Sequence, residues 1–118
     1  MATDIQIVQE DVAGRSDSKI MHFSGSLDAT NIQAVSDQII SLLNDSGVVN
    51  IIADFEQLKY LNSTALGNII DYNKRVVQKG GKFILAAVNE NVFEIFDIVG
   101  ATSILNFQDT IDDAINSL

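Results

Sequence analysis

Three consecutive polar residues, Asn62, Ser63 and Thr64, stand just before a segment whose apolar residues have helical spacing. A hydroxyl at the start of a helix faces unpaired backbone N–H groups and the positive end of the helix dipole. It can cap the helix, and it can also carry a phosphate, whose charge of about −1.5 to −2 suits that environment. Asp28 follows another predicted strand and could cap a helix or lie near the same surface. The residue types leave both capping and phosphorylation open at this point.

Asp54 raises the question of an aspartyl-phosphate site of the receiver type, because it closes the predicted third strand. That chemistry needs an acidic pair to hold Mg²⁺, which Glu10 and Asp11 could supply, and a lysine after the last strand. No lysine follows Lys82, so the counter-charge for an aspartyl phosphate is missing. We therefore do not expect a receiver site.

Hydrolytic and metal chemistry find little support in the sequence. His22 is the only histidine, and it lies within a predicted strand, where a histidine is usually structural. The chain has no cysteine, and it contains no G-x-S-x-G, P-loop or G-x-G-x-x-G motif. The acidic pair Asp112 and Asp113 is expected to be solvated. We expect no catalytic residues, no metal site and no cofactor.

The composition favours a single α/β domain with an acidic surface. The 118 residues are 47% hydrophobic and 19% charged, which suits one compact domain over positions 1–118. Seven basic against 16 acidic residues give a net charge of −9, which disfavours nucleic-acid and anionic-membrane binding. Such a surface would attract a basic protein partner or serve only to keep the protein soluble. No apolar run approaches the roughly 20 residues of a membrane span. Positions 1–10 lack a signal-peptide pattern, so we expect a cytoplasmic protein.

The apolar patterning predicts the element order β-β-α-β-α-β-α-β-α. Strands are predicted at positions 5–8, 19–24, 48–55, 83–88 and 103–107, with positions 11–18 as a connection. Helices are predicted in the intervals 28–47, 62–80, 89–100 and 109–118. Strands that alternate with helices imply parallel crossovers, so we predict a mixed, mostly parallel sheet packed by helices.

Particular residues are predicted to begin these helices and to form their buried stripes. Asp28 or Thr30 could cap the first helix, and Asn89 could cap the third. Thr30 and Gln33 fit a capping box. The buried stripe of the second helix is predicted to contain Leu66, Ile69, Ile70, Val76 and Val77.

Three stretches of the chain carry a resemblance to a known family. Gly25-Ser26-Leu27-Asp28 is similar to that family's G-x-L-D. The stretch from Tyr60 to Gly67, which reads YLNSTALG, is similar to its phosphorylation segment, typically D-S-S/T-G-L-G after two apolar positions. Gly80-Gly81-Lys82-Phe83-Ile84-Leu85, with the later Phe107, Thr110 and Ala114, follows its C-terminal half. From about Lys19 onward the chain therefore resembles a STAS domain, the fold of bacterial anti-sigma factor antagonists.

The resemblance implies a regulatory module without catalytic activity of its own. In the family, a serine or threonine at this helix start is phosphorylated by a partner kinase, often an anti-sigma factor, and a phosphatase restores the binding form. The position matched to the acceptor is Thr64, and Ser63 is a neighbouring hydroxyl. The partner-binding positions that the resemblance implies are Asp28, Asn62, Ser63, Thr64, Ala65 and Leu66. Asn62 and Ala65 stand where the family usually has aspartate and glycine.

Two other functions stay open beside this one. STAS modules also occur as unphosphorylated subunits of lipid-transport ATPase complexes of the ABC type, so the chain could be a constitutive adaptor that binds an ATPase subunit. A small α/β enzyme that uses the Asn62 to Thr64 segment is the third alternative, and it lacks a visible catalytic constellation.

Overall fold

One sheet of five strands forms the centre of the computed structural model, which describes residues 4–118. The strands are β1 (Ile5–Val12), β2 (Arg15–Leu27), β3 (Asn50–Leu61), β4 (Phe83–Ala86) and β5 (Asn106–Gln108). They lie side by side in their sequence order. The β1–β2 pair is antiparallel and the three other pairs are parallel.

Four α-helices connect or follow these strands. They are α1 (Ile32–Asp45), α2 (Ser63–Gln78), α3 (Glu90–Ile98) and α4 (Ile111–Asn116), and a short 3-10 helix (Ala101–Ser103) follows α3. The predicted element order and the mixed, mostly parallel sheet are thus confirmed. No helix within residues 4–118 is long and apolar enough to cross a membrane.

The two faces of the sheet carry cores of different size. Side chains alternate along a strand, so Ile51 and Ala53 point to one face and Ile52 points to the other. The first face packs against α1, α2 and α3 and forms the larger core. The second face packs against α4 in a smaller cluster that includes Ile20, Ile52 and Ala114. The part of the second face that α4 does not cover is exposed to solvent, as Val8 on β1 shows.

Two glycines allow the backbone to approach itself closely. A Cβ at Gly25, whose φ is +112°, would collide with the carbonyl oxygen of Asp4. A Cβ at Gly81 would overlap the carbonyl oxygen of Val49. Only glycine permits the second contact, which seats the α2–β4 connection against the segment that enters β3.

Several predicted strand bounds were wrong. The connection predicted at positions 11–18 is a tight hairpin turn around Gly14, whose φ is +75°, and both strands continue through most of that stretch. An exposed hairpin needs no apolar alternation, so its sequence pattern was weak. β3 continues to Leu61 rather than ending near Phe55, and β5 begins later than predicted because the 3-10 helix precedes it.

Several helix details also differ from the predictions. The residue before α1 is Asn31, and its side chain makes no capping hydrogen bond, so the predicted caps Asp28 and Thr30 were wrong. On α2 the predicted stripe missed Tyr72, which is buried, and included Val77, which is exposed. The predicted cap Asn89 of α3 is confirmed. Helix α2 is capped by Asn62 and not by the hydroxyl of Ser63 or Thr64, because the helix begins at Ser63.

Candidate functional site

The carboxyl ends of β2 and β3 lie side by side and bring two distant segments together. Leu27 pairs with Leu61 in the parallel register, and the backbone N–H of Asn62 donates to the Leu27 carbonyl at 3.1 Å. Asp28 and Asn62, the residues that follow the two strands, are therefore neighbours at one edge of the sheet. Such an edge is where functional groups collect in open α/β sheets.

The start of α2 is organised by Asn62. Its backbone is extended, with φ of −92° and ψ of 179°, and its Oδ1 accepts a hydrogen bond of 2.9 Å from the backbone N–H of Ala65. Its carbonyl oxygen accepts from the backbone N–H of Leu66 at 3.0 Å. Asn62 is thus the cap, which leaves Ser63 and Thr64 as the first two helical residues.

The four residues of this first turn divide between solvent and core. Ser63 and Thr64 are exposed, whereas Ala65 is fully buried and Leu66 is only 8% exposed. Ala65 lies on the same side of the helix as Ile69, at a spacing of four residues. The two hydroxyls are therefore accessible from solvent.

Two of the expected partner-binding residues, Ala65 and Leu66, are buried in the core. Both were expected to touch a partner, but in this structure their side chains pack into the core. The methyl group of Ala65, in particular, points away from the surface that a partner would approach. We call the four remaining residues, Asp28, Asn62, Ser63 and Thr64, the docking edge.

The turn that carries Asp28 is held by two side chains. Asp28 Oδ1 accepts a hydrogen bond of 2.8 Å from the backbone N–H of Thr30. Asn31 Oδ1 accepts from the Asp28 backbone N–H at 3.0 Å, and Asn31 Nδ2 donates to the Ser26 carbonyl at 2.8 Å. These bonds fix where the Asp28 carboxylate lies. Asn31 was missed in the sequence, although an aspartate followed by an asparagine at a strand end is typical of such side-chain turns.

A buried hydrogen bond connects the two helices that leave this edge. The hydroxyl groups of Ser36 on α1 and Tyr72 on α2 lie 2.6 Å apart and share a hydrogen bond. Ser36 also donates to the Ile32 carbonyl at 3.1 Å. Burial raises the pKa of Tyr72 above its usual value. This contact fixes the position of α2, and with it the first turn that carries the two hydroxyls.

A second polar cluster, formed by Glu10, His22 and Asp54, lies on the face of the sheet opposite α1 to α3. His22 Nδ1 lies 2.7 Å from Asp54 Oδ2, and His22 Nε2 lies 2.7 Å from Glu10 Oε1. The hydrogen bond with Asp54 raises the pKa of His22, against the lowering effect of burial. The three side chains join β1, β2 and β3. His22 therefore has the structural place predicted for it, although its two carboxylate partners were missed.

The position of Asp54 also corrects one interpretation of the sequence. Asp54 does not close β3, which continues for seven more residues to Leu61. Its carboxylate is occupied by His22 and by the backbone N–H of Glu56, which donates to Asp54 Oδ1 at 3.0 Å. Within residues 4–118 no cluster of three or more histidine, cysteine, aspartate or glutamate side chains is arranged to hold a metal ion.

Comparisons with known proteins agree with this architecture. An anti-sigma F factor antagonist from Paenibacillus polymyxa is 27% identical over 99 residues, which cover 84% of this chain and 85% of that protein. An anti-sigma factor antagonist from Mycobacterium paratuberculosis superposes with a TM-score of 0.83 at 19% identity, covering 97% of this chain and 93% of that chain.

A further solved relative is the Bacillus cell fate determinant SpoIIAA, an anti-sigma factor antagonist known in two forms. The unphosphorylated form has a TM-score of 0.74 at 20% identity, and the superposition covers 95% of this chain and 96% of that chain. The phosphorylated form has a TM-score of 0.73 and covers 98% of that chain. The STAS domain family matches residues 8–114, which is most of the sequence. The chain belongs to the STAS domain family.

Proposed function

We propose that this protein is an anti-sigma factor antagonist that binds an anti-sigma factor with kinase activity through the docking edge. The observation that carries the proposal is the pair of exposed hydroxyls, Ser63 and Thr64, beside the Asp28 carboxylate at one edge of the sheet. The relative from Paenibacillus polymyxa, which bears that function in its name, supports the same assignment.

We further propose that phosphorylation of Ser63 or Thr64 switches the binding off. The partner kinase would transfer the γ-phosphoryl group of ATP to the side-chain oxygen, with loss of the hydroxyl proton and release of ADP. A phosphatase would hydrolyse the ester and restore the hydroxyl. This chain supplies an accessible oxygen, and the N-terminus of α2 favours the added negative charge.

The electrostatics of the docking edge would make the switch effective. The added phosphate would stand near Asp28 on a protein whose net charge is already −9. A partner that fits the unmodified hydroxyls would have to bury a dianion without a counter-charge, and a buried unpaired charge costs several kcal/mol. The fold would tolerate the phosphate while the complex would not.

In this proposal the chain acts without catalysis, as a single domain over positions 1–118, in the cytoplasm. All chemical steps belong to the kinase and the phosphatase. The exposed position of the two hydroxyls supports the proposal that those enzymes act on them.

The test is phosphate mapping with the genuine kinase. The purified chain is used to isolate its partner from the native cytoplasm, and the purified partner is then incubated with ATP and the wild type, Ser63→Ala or Thr64→Ala. We expect one phosphate per chain, lost in one of the two variants, and binding that survives both substitutions. A partner that is an ATPase subunit of a transporter, with no phosphate on either residue, would overturn the proposal in favour of the constitutive adaptor.

A further inference from the structure

Exposed apolar side chains concentrate at the carboxyl end of α3. Seven large hydrophobic residues are exposed within residues 4–118, and four of them lie between positions 93 and 104. Ile98 is 76% exposed, and Val99 and Ile104 are each 57% exposed. Single exposed apolar residues are ordinary, but a group of them marks an interaction surface. We call Ile98, Val99 and Ile104, which lie at the end of α3 and just after it, the α3 patch.

The backbone beneath the α3 patch is well fixed. The backbone N–H groups of Ile104 and Leu105 both donate to the Ala101 carbonyl at 3.0 Å, and Ala101 and Leu105 are buried. Earlier on α3, the ring of Phe93 packs edge-on against Phe107, with ring centres 5.2 Å apart, and this contact holds the helix against β5. A partner would therefore meet a preformed surface, which lowers the entropy cost of docking.

The surroundings of the α3 patch are acidic. Glu90, Glu94 and Asp97 are exposed along α3, and Glu94 lies one helical turn before Ile98. The last turn of α3 has no basic side chain, so the negative end of the helix dipole is not offset there. Residues 83–118 contain six acidic side chains and no lysine or arginine. Apolar contacts are thus bordered by groups that attract cations.

The α3 patch is distinct from the docking edge. Helix α3 begins after β4, at the end of the sheet where the parallel strands have their carboxyl ends, and it runs back antiparallel to them, as a crossover helix must. Its carboxyl end therefore lies toward the opposite end of the sheet from Ser63 and Thr64. A partner on the α3 patch need not compete with one on the docking edge.

We propose that the α3 patch binds an amphipathic helical segment of a partner protein, with apolar residues on one face and lysine or arginine beside them. The apolar face would cover Ile98, Val99 and Ile104, and the basic residues would pair with Glu94 and Asp97. An anionic lipid surface is disfavoured by the same carboxylates. A second copy would place identical acidic rows against each other, which is also unfavourable.

The test uses two synthetic helical peptides of about five turns, roughly 18 residues, one of leucine and lysine and one with glutamate in place of lysine. Binding is measured by fluorescence anisotropy at about 150 mM salt, where long-range attraction is largely screened. We expect the lysine peptide alone to bind, and the Ile98→Ser/Ile104→Ser variant to weaken its affinity at least tenfold. Val8→Ser, at another exposed apolar site, is the matched control and should bind normally.

Backbone amide NMR shifts locate the bound peptide, and sedimentation tests for self-association. The proposal predicts shifts confined to residues 93–104 and a protein that stays monomeric. Equal binding by the double variant, no binding of the lysine peptide, or shifts centred elsewhere would overturn the proposal. A dimer that the double variant dissociates would assign the α3 patch to a second copy instead. Ile98→Ser alone, at the most exposed position, replaces the double variant if that protein unfolds.

Discussion

At the scale of single residues, Asn62 has two roles that experiment can separate. Its side chain caps α2 through the N–H of Ala65, and it lies on the docking edge beside Ser63. A cap of this kind is worth about 1 kcal/mol. Asn89 also caps α3, accepting from the N–H of Val92 at 3.0 Å, and it donates to the Leu58 carbonyl at 2.7 Å, but it lies outside the docking edge. The pair offers a matched comparison of stability with binding.

We expect Asn62→Ala and Asn89→Ala each to lower the free energy of unfolding by about 0.5–2 kcal/mol, because each leaves a helix N-terminus uncapped. Urea denaturation followed by circular dichroism measures this loss. Only Asn62→Ala should also weaken binding to the kinase. Equal affinity for both variants would remove Asn62 from the docking edge.

His22 provides a prediction about pH. The pKa of His22 is raised in the folded protein, chiefly by the hydrogen bond with Asp54. The folded state therefore stabilises the protonated imidazolium more than the unfolded state does. This stabilisation is fully present below the unfolded pKa of about 6.5 and is lost as the pH rises through the folded pKa. Neutral imidazole has one donor nitrogen and cannot donate to both Glu10 and Asp54.

The free energy of unfolding of wild type minus that of His22→Gln should therefore decrease from pH 6 upward. Urea titrations at several pH values between about 6 and 9 measure this difference, since glutamine does not titrate in that range. A difference that grows with pH would show that the cluster stabilises neutral histidine instead.

The residues of the docking edge could be predicted only in part. The start of α2 followed from the spacing of the apolar residues, but the cap was expected to be a hydroxyl and is Asn62, one residue earlier. The inward direction of Ala65 was missed because the predicted stripe began at Leu66. The Asp28–Asn31 turn depends on how β2 ends, and Glu10 and Asp54 reach His22 only because of the strand register. The pattern of neighbouring residues in the sequence shows neither where β2 ends nor how the strands are paired.

At the scale of elements, the helices were predicted more accurately than the strands. Helix ends carry signals in single residues, such as Asn62, Asn89 and Gly100, whose φ is +77°. Strand ends do not, so β3 was predicted to end near Phe55 although Leu58 and Leu61 continue it into the core. The last residues of β3, up to Leu61, determine where α2 begins, and they therefore position the first turn of α2 on the docking edge.

Alanine substitutions at two glycines test how closely the secondary-structure elements pack. Gly81→Ala should destabilise the fold by about 1–3 kcal/mol, because its Cβ would overlap the Val49 carbonyl oxygen. A methyl group at Gly67 on α2 would have open space around it, and the φ of Gly67 is not positive, so Gly67→Ala should stabilise by about 0.5–1 kcal/mol. Thermal unfolding of both variants checks the opposite signs. A Gly81→Ala protein as stable as wild type would contradict the close approach.

At the scale of the whole molecule, the sheet separates three surface regions, two of them polar and one apolar. The docking edge lies at the carboxyl ends of β2 and β3, the His22 cluster lies on the face of the sheet away from α1 to α3, and the α3 patch lies toward the opposite end. The α/β class followed from the alternation of strands and helices. The separation of these regions could not be predicted, because it depends on strand order and on the direction of each crossover.

Charge on the first turn of α2 should be tolerated by the fold and opposed by the complex with the kinase. Thr64→Glu and Ser63→Glu place a carboxylate at the helix N-terminus, which is favourable by about 0.3–1 kcal/mol. Ser16→Glu adds the same charge at an exposed position at the other end of β2, and is the matched control for net charge.

The most direct measurement is calorimetric titration of the purified kinase with these three variants and the wild type, together with their melting temperatures. We predict that at least one of Ser63→Glu and Thr64→Glu binds tenfold or more weakly, a loss of about 1.4 kcal/mol, with a melting temperature equal to or above that of the wild type. Ser16→Glu should bind as the wild type does. Wild-type affinity in both docking-edge variants, or an equal loss in Ser16→Glu, would contradict the account.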